Sequence, residues 1–501
     1  MKINTNMNTQ FLYFFLLILL GSCSIKPTDT EKAETAAEGC LNPAYAADLK
    51  TQLENGMRGK VKFIGETETL SSISDKMSEY IIPAMSLAVI KEGQIEWSET
   101  YQNAELAGNQ RLDCISIFQA ASLSKPVTFM AALRMHAAGE IDLDKNIRDY
   151  LRSFQLPKGK QTIDNPVTFR NLFSHTSGIN GGGYQGYNRN IDMPSDVDIL
   201  MGNDGVNSAA IEVVWSPNQT LVYSGGGYTL AELALQDIYG TDFSEIMKKW
   251  ILNPANMKNS EFTQPLPASY SDRVAKGHTQ SGEPLEGGWR NHPEQAAAGL
   301  WSNARDLAKF MTEIYNAYQG KPSIFSQSDV KSMIRDEREG HIYGFIVNRT
   351  DDDLAITHYG GNAGYRTAMT ISLTTGNGLV YLINSDNGGN LGNEILLSAA
   401  QVYGWKQFEQ NQLHRKEIDT EILKTLMGEF KWNDQINLNM RYDEKEKLIA
   451  LNFPNGDEYK LVHVIGDELD FVHPNTGIEV SFLQEDNFNS FSLYGQKAVR
   501  Q

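Results

Sequence analysis

The chain has 501 residues, more than one compact core organises at ~100–200 residues per domain, so several domains or subdomains are expected. With 41% hydrophobic, 10% aromatic and 21% charged residues, the composition is that of a globular protein and excludes a wholly disordered, collagen-like or coiled-coil chain. Asp plus Glu number 62 against 44 Lys plus Arg, a net charge of −18, and no basic patch stands out; such a surface repels phosphate backbones and disfavours nucleic-acid binding. The three cysteines are too few for a disulfide scaffold, and their odd number assigns one of them a separate role.

The N-terminus reads as an address. Lys2 precedes Phe11 to Leu20 (FLYFFLLILL), ten apolar residues without a charge. A membrane-spanning helix needs ~20, so the run has the length of a signal-peptide core. Leu20-Gly21-Ser22-Cys23 follows and resembles the bacterial lipoprotein cleavage box. That resemblance implies a signal peptide over 1–22 and a lipid on Cys23, which would hold the protein on the membrane of the cell envelope, facing the periplasm or the exterior. Residues 24–39 are polar and aperiodic, a tether with a reach on the order of 20 Å, and the lead-in extends to 59. With Cys23 lipidated, Cys40 and Cys114 remain, and a disulfide between them is open in an oxidising compartment.

Next come the folded elements. Ile82 to Tyr101 predicts a strand pair, MSLAVI and QIEWSETY, turning at Lys91-Glu92-Gly93. Phe118 to Ala138 carries helical spacing, with Pro126, Phe129, Met130, Leu133 and Ala137 on one stripe and Gly139 closing it. Residues 140–290 read as helices and loops and include Asn180 to Tyr187 (NGGGYQGY), expected to be a mobile loop. Gln295 to Tyr318 predicts helix, residues 341–385 predict four strands, and a helix is expected from about Asn393 to Tyr403, ending at Gly404. Strands near both ends of 60–405 would pair into one sheet with the helical part on one side. Beyond a polar linker at 405–417, six short β-rich segments with turns between them predict a small antiparallel meander or barrel over 415–501.

The chain contains no GxSxG elbow, no HExxH and no GxxxxGK[ST] loop, and its nine His are scattered. A metal site is therefore disfavoured, and no cofactor is called for. The informative segment is Gln119-Ala-Ala-Ser122-Leu-Ser-Lys125-Pro. Ser122 and Lys125 are three apart at a helix start, which places them on one face. A serine hydroxyl becomes a useful nucleophile only when a base takes its proton, and a buried Lys can act as, or assist, that base. A helix N-terminus adds free N–H groups for a developing oxyanion. The apolar flanks, Ala120, Ala121 and Phe129 to Ala132, make this a buried helix rather than a capped surface one.

Ser122-Leu-Ser-Lys125 resembles the SxxK motif of the serine β-lactamases and penicillin-binding proteins, within the branch of class C β-lactamases, D-alanyl-D-alanine carboxypeptidases, D-aminopeptidases and related esterases. In the same order, Leu172-Phe-Ser-His175-Thr-Ser-Gly178 resembles the LLxHTSG segment, Tyr223-Ser224-Gly225 the Tyr-x-Asn motif, and His358-Tyr359-Gly360-Gly361 the Lys/His-x-Gly motif of an edge strand. Ala297 to Ser302 with Arg305-Asp306-Leu307 matches a further stretch. The resemblance implies an α+β, β-lactamase/transpeptidase-like fold over 60–405: an antiparallel sheet flanked by helices plus a helical subdomain, followed by the small all-β domain. It implies Ser122 as the acyl-carrying nucleophile, Lys125 and Tyr223 in proton exchange, His358 lining the site, the N–H groups of Ser122 and Gly361 as oxyanion hole, and Gly225, Tyr359 and Gly360 against substrate. His175 is expected to brace a loop, and Trp301 and Phe310 to be core.

Two departures bear on substrate. Gly225 stands where the family has an Asn amide, and His358 stands where many members have a permanently charged Lys. Both favour an exported serine hydrolase of D-amino-acid peptides or small esters and amides. The alternatives are a true β-lactamase and a binding or sensing lipoprotein without turnover.

Overall fold

A computed structural model describes residues 47–501 except 109, 434–435, 447, 455, 457, 467–468 and 485–486; the signal segment, Cys23, the tether and Cys40 lie outside the described residues. Two bodies follow one another along the chain.

The first is built on seven strands: β1 (Ala84–Lys91), β2 (Gln94–Gln102), β3 (His341–Ile342), β4 (Phe345–Arg349), β5 (Leu354–Asn362), β6 (Tyr365–Ser372) and β7 (Gly378–Ile383). They run antiparallel in the order β2-β1-β7-β6-β5-β4-β3, so strands from both ends of the region share one sheet. Alternation along β7 explains why this sheet is covered twice. Val380 and Leu382 point into the large core beneath the helical region. Leu379, Tyr381 and Ile383 point into a second core with Leu87, Val89 and Trp97. The helical part between the outer strands packs on one side as expected, while Ala47–Glu54 and α5 (Gly388–Tyr403, an earlier start than Asn393) close the second face, where Trp97 Nε1 donates to Tyr403 Oη at 3.0 Å. Covering on both faces buries β1 at every residue but the last, and the buried residues are apolar apart from Ser86, whose Oγ accepts from Ala304 N–H at 3.1 Å.

The helical region contributes α1 (Ser124–Ala137), α2 (Gly225–Tyr239), α3 (Gln295–Ala298) and α4 (Ala304–Gln319). Two expected helices are shorter than their patterns. Residues Phe118–Gln119 form a strand paired with Trp301–Ser302, and a tight 3₁₀ turn, Ala121–Leu123, precedes α1. The reason is local: Ala121 takes φ +52°, a left-handed conformation that interrupts any helix crossing it. Likewise the predicted helix over 295–318 is broken by the Trp301–Ser302 strand, and Asn303 restarts it by accepting from the Asp306 N–H at 2.9 Å. Trp301 and Phe310 are fully buried.

The second body is a closed barrel of β8 (Gly428–Lys431), β9 (Asn437–Asp443), β10 (Leu448–Asn452), β11 (Glu458–His463), β12 (Leu469–Val472), β13 (Glu479–Phe482), β14 (Ser490–Leu493) and β15 (Gln496–Arg500), each pairing with the next. Pairing of Phe430 with Arg500 and Lys431 with Val499 closes it. Six of the eight strands are the β-rich segments of the sequence. The two closing strands escaped notice because GEFK and QKAVR carry one inward residue each, Phe430 and Ala498. Side chains fill the interior, with Phe430 packed 4.8 Å from Phe491 and 6.1 Å from Phe482 between ring centroids. The short strand Val61–Phe63 pairs in parallel with Asn411–Leu413 and so ties the chain's early residues to the linker.

Truncating a fully buried aromatic leaves a cavity. Phe430→Ala is expected to lower the barrel's unfolding free energy by about 3–5 kcal/mol, read from denaturant unfolding; a loss below about 1 kcal/mol would contradict the packed interior.

Candidate active site

The site forms where three pieces of chain converge: the turn before α1, the segment entering α2, and the free edge of β5. Pairing of β5 with β4 ends at Thr357, opposite Ile346, so residues His358 to Asn362 run on without a strand on that side. Their place is taken by the 3₁₀ turn. A Cβ on Gly360 would lie 2.8 Å from Ala120 O and 3.1 Å from Ala121 Cβ, so only glycine lets the turn come this close. Thr367 Oγ1 donates to Ala120 O at 3.0 Å, and Asn362 Nδ2 to Gln119 Oε1 at 2.9 Å, pinning turn to sheet. In the two-residue hairpin that joins Asn362 to Tyr365, the flanking pair exchanges its hydrogen bonds, and alternation turns the Gly361 N–H to the opposite, open edge.

Ser122 is half-buried on this turn. The Lys125 ammonium, 2% exposed, donates to Ser122 Oγ at 3.3 Å and to Ala297 O at 2.8 Å. It lies 4.7 Å from the centroid of the Tyr223 ring and 5.7 Å from that of Tyr228, a cation over aromatic faces. Tyr223 is 42% exposed, so its ring roofs the lysine from the solvent side. His175 holds Tyr223 from both flanks: its carbonyl accepts from Val222 N–H at 2.8 Å and its Nδ1 accepts from Ser224 N–H at 3.1 Å. Its ring lies 4.5 Å from that of Tyr223. An Nδ1 that accepts leaves the proton on Nε2, and burial, then Lys125, hold His175 well below the usual histidine range. The bracing role expected for His175 is what the geometry displays.

His358 sits on the free edge, buried, with neither ring nitrogen in full hydrogen-bonding geometry. Burial and then the Lys125 charge lower its pKa to about 3, offset only partly by the Gly344 backbone, so the ring is neutral at pH 7. Tyr359, 43% exposed, stands on the opposite face of the strand. Ser174, His175, Tyr223, His341, Tyr343, Gly344, Phe345, Ile346, His358 and Tyr359 line a pocket of about 250 Å³ at the candidate site, mostly apolar and without Lys or Arg in its wall.

The expected residues are thus brought together, with one exception. Gly225 is buried, and the space an Asn side chain would use is filled by Tyr184, whose ring carbon lies 2.7 Å from a built Cβ. Tyr184 pairs with Thr229 Oγ1 at 2.9 Å. The segment 180–187, expected to be mobile, is a tied strap: Gly225 N–H donates to Gly182 O at 2.9 Å, Ser224 Oγ donates to Asn180 O at 2.9 Å, and Tyr187 pairs with Asn291. Sequence reading also missed a buried polar cluster behind Lys125. Glu232, His292 and Glu294 are fully buried; His292 Nδ1 lies 3.9 Å from Glu294 Oε2, and neither the Glu294 oxygens nor the His292 nitrogens have a hydrogen-bond partner among the described residues. Burial lifts Glu294 to about 8 and, with Arg290 and Lys125 nearby, lowers His292 to about 3. The unusual density of ionisable residues in His292-Pro-Glu294, next to an all-alanine run, was the available signal. Among the described residues no cluster of His, Cys, Asp or Glu is arranged to hold a metal. Cys114 is disulfide-bonded.

The Beta-lactamase family profile matches residues 71–402. The chain belongs to the beta-lactamase family. Within this family of serine β-lactamases and penicillin-binding proteins, it is 23% identical to penicillin-binding protein 4* of Bacillus subtilis (strain 168) over 427 residues, covering 80% of this chain and 90% of that one. Among solved structures it resembles the octameric penicillin-binding protein homologue from Pyrococcus abyssi (TM-score 0.56, 20% identity, 85% of this chain and 98% of that one). It also resembles D-amino acid amidase from Ochrobactrum anthropi SV3 complexed with D-phenylalanine (TM-score 0.52, 20% identity, 72% and 99%). These likenesses establish the β-lactamase/transpeptidase-like fold.

In this beta-lactamase-family site the imidazole charge state is testable. The folded His358 titrates near 3, below its unfolded value of ~6.5, so as pH falls the unfolded chain binds the proton first. The stability held above ~6.5 is lost toward 3, at up to about 1.4 kcal/mol per pH unit for each such ring. Nitrogen-15 spectra at pH 5 should show His358 neutral in the folded protein; a protonated ring there would overturn the placement.

Proposed function

We propose that this chain is an exported serine hydrolase that works through an acyl-enzyme on Ser122, with D-amino-acid peptides or small amides and esters as substrates. The observation that carries the reading is the Lys125 ammonium suspended between Ser122 Oγ at 3.3 Å and the Ala297 carbonyl at 2.8 Å. One contact aims the nitrogen at the nucleophile and the other anchors it, so proton exchange needs little motion.

Chemistry follows from the placement. Ser122 Oγ attacks the substrate carbonyl and gives its proton to the Lys125–Tyr223 pair, which accepts it in the form that holds one proton fewer than ammonium plus phenol. The new oxyanion lies toward the N–H groups of Ser122 and Gly361. Tyr223, at the solvent side, returns a proton to the leaving amine or alcohol as the tetrahedral intermediate collapses. Water then attacks the Ser122 ester, the same pair takes the water's proton and restores it to Ser122, and the acid is released.

The pocket's wall supports the substrate class. Its aromatic, mostly apolar lining suits a neutral hydrophobic group such as a D-phenylalanyl side chain, consistent with the D-phenylalanine bound by the amidase neighbour. A neutral His358 offers no fixed cation for a β-lactam carboxylate, and Tyr184 occupies the place of the family's Asn amide. Both weigh against efficient β-lactam hydrolysis.

Intact mass after incubation with a fluorophosphonate should show one adduct on the wild type and none on Ser122→Ala; no wild-type adduct would favour the binding-protein alternative. Lys125→Ala and Tyr223→Phe should each slow acylation by about 10²–10⁴-fold, and a panel of D- and L-phenylalaninamide, D-Ala-D-Ala peptides, short esters and a chromogenic cephalosporin should rank D-phenylalaninamide above its L form and above the cephalosporin.

Export and the anchor rest on residues 11–23, and the disulfide at Cys114 supports an oxidising compartment. Cells fed labelled palmitate should incorporate it into the wild-type chain but not into Cys23→Ser; equal labelling would exclude Cys23 as the lipid site.

A further inference from the structure

The turn 295–300 bonds to several parts of the site. Its successive carbonyls at Ala296, Ala297 and Ala298 accept from Thr128 Oγ1 at 3.3 Å, Lys125 Nζ at 2.8 Å and Asn362 Nδ2 at 3.2 Å. Its Leu300 N–H donates to Ser124 Oγ at 3.0 Å, and its Leu300 carbonyl accepts from Ala120 N–H at 2.8 Å. The nucleophile turn, the lysine and the free edge of β5 thus all register against one short stretch.

That stretch is held from its far side by Glu232 on α2. Glu232 is fully buried, its Oε2 accepts from Ala296 N–H at 2.7 Å, and its Oε1 has no partner. A buried carboxyl is costly to place in an interior unless a specific bond needs it. Burial pushes Glu232 well above the usual carboxylate range, and the nearby Asp196 and Glu294 push the same way. An amide reproduces the shape of this carboxyl and the oxygen that accepts from Ala296 N–H.

Resting on the reading of Ser122 as nucleophile, we propose that Glu232 is a positioning residue for Lys125: by fixing the Ala296 N–H it sets where the next carbonyl, Ala297, holds the ammonium against Ser122. The line of contact runs from Glu232 to Ala296, through the peptide to Ala297, to Lys125 and to Ser122, and crosses from α2 to α1 without touching substrate. Glu232 thus acts on the acylation rate and not on substrate binding.

The test compares wild type, Glu232→Gln and Glu232→Leu in phosphonylation by a fluorescent fluorophosphonate over a concentration series that separates the limiting rate from the half-saturating concentration. Glu232→Gln should react within about threefold of wild type. Glu232→Leu should lose about 10–100-fold in limiting rate, with half-saturation little changed and a cooperative thermal transition retained. A wild-type limiting rate in Glu232→Leu, or a Glu232→Gln as slow as Glu232→Leu, would overturn the proposal. Should Glu232→Leu not fold, Thr128→Val removes the tether one carbonyl away and should slow the limiting rate about fivefold; a rate equal to wild type overturns it. No adduct on the wild-type chain would sink the Ser122 reading itself, which is distinguishable from a labelled wild type whose Glu232 variants are indifferent.

Discussion

Everything at this site is arranged around one buried ammonium. Lys125 is 2% exposed and, among the described residues, has no carboxylate in contact; its hydrogens go to a hydroxyl and a peptide carbonyl, and two aromatic faces stand in for water. A cation kept in the interior on neutral partners needs those partners fixed, because no ionic attraction will pull a misplaced one back. The close packing of Gly360 on the nucleophile turn, the double hold of His175 on Tyr223, and the hub at 295–300 are three ways of supplying that rigidity.

The same charge accounts for the electrostatic character of its surroundings. Lys125 contributes to lowering His175, His292 and His358, in each case after burial itself. Three imidazoles gather near this lysine, and burial favours the neutral form of each. The site is thus polar in hydrogen-bonding capacity but nearly free of mobile charge, a surrounding in which a developing oxyanion finds oriented dipoles rather than competing counter-ions.

Legibility in the sequence followed the range of the interactions. Ser122, Lys125, Tyr223 and His358 were readable because ordered motifs name them, and the strands β1, β2 and β4 to β7 because alternation is local. The helix over 118–138 was over-extended because apolar spacing says nothing about the φ of Ala121. The strap at 180–187 read as mobile because glycine and tyrosine content marks a loop and cannot show that Gly182 bonds to Gly225. Glu232 was invisible as a site residue for a different reason. A glutamate on a helix is ordinarily solvated, and only the packing of α2 on the 295–300 turn takes water away. Gly225 carried half the information: its missing amide was plain, but the Tyr184 ring that fills the gap comes from 41 positions earlier in the chain.

The sheet order sets a timetable. The pair that joins the two ends of the region is β1 with β7, and the Ala84 N–H donates to Asn384 Oδ1 across 300 residues of chain. Pairing at such separation carries a large loop-closure entropy and comes late, after local helices have formed. During vectorial synthesis the nucleophile turn emerges hundreds of residues before the β5 edge against which it is set. The serine is therefore present but unassembled for most of the chain's emergence, and the candidate site forms only once nearly the whole β-lactamase-like body has left the ribosome. Chemistry in this molecule is gated by completion of the sheet.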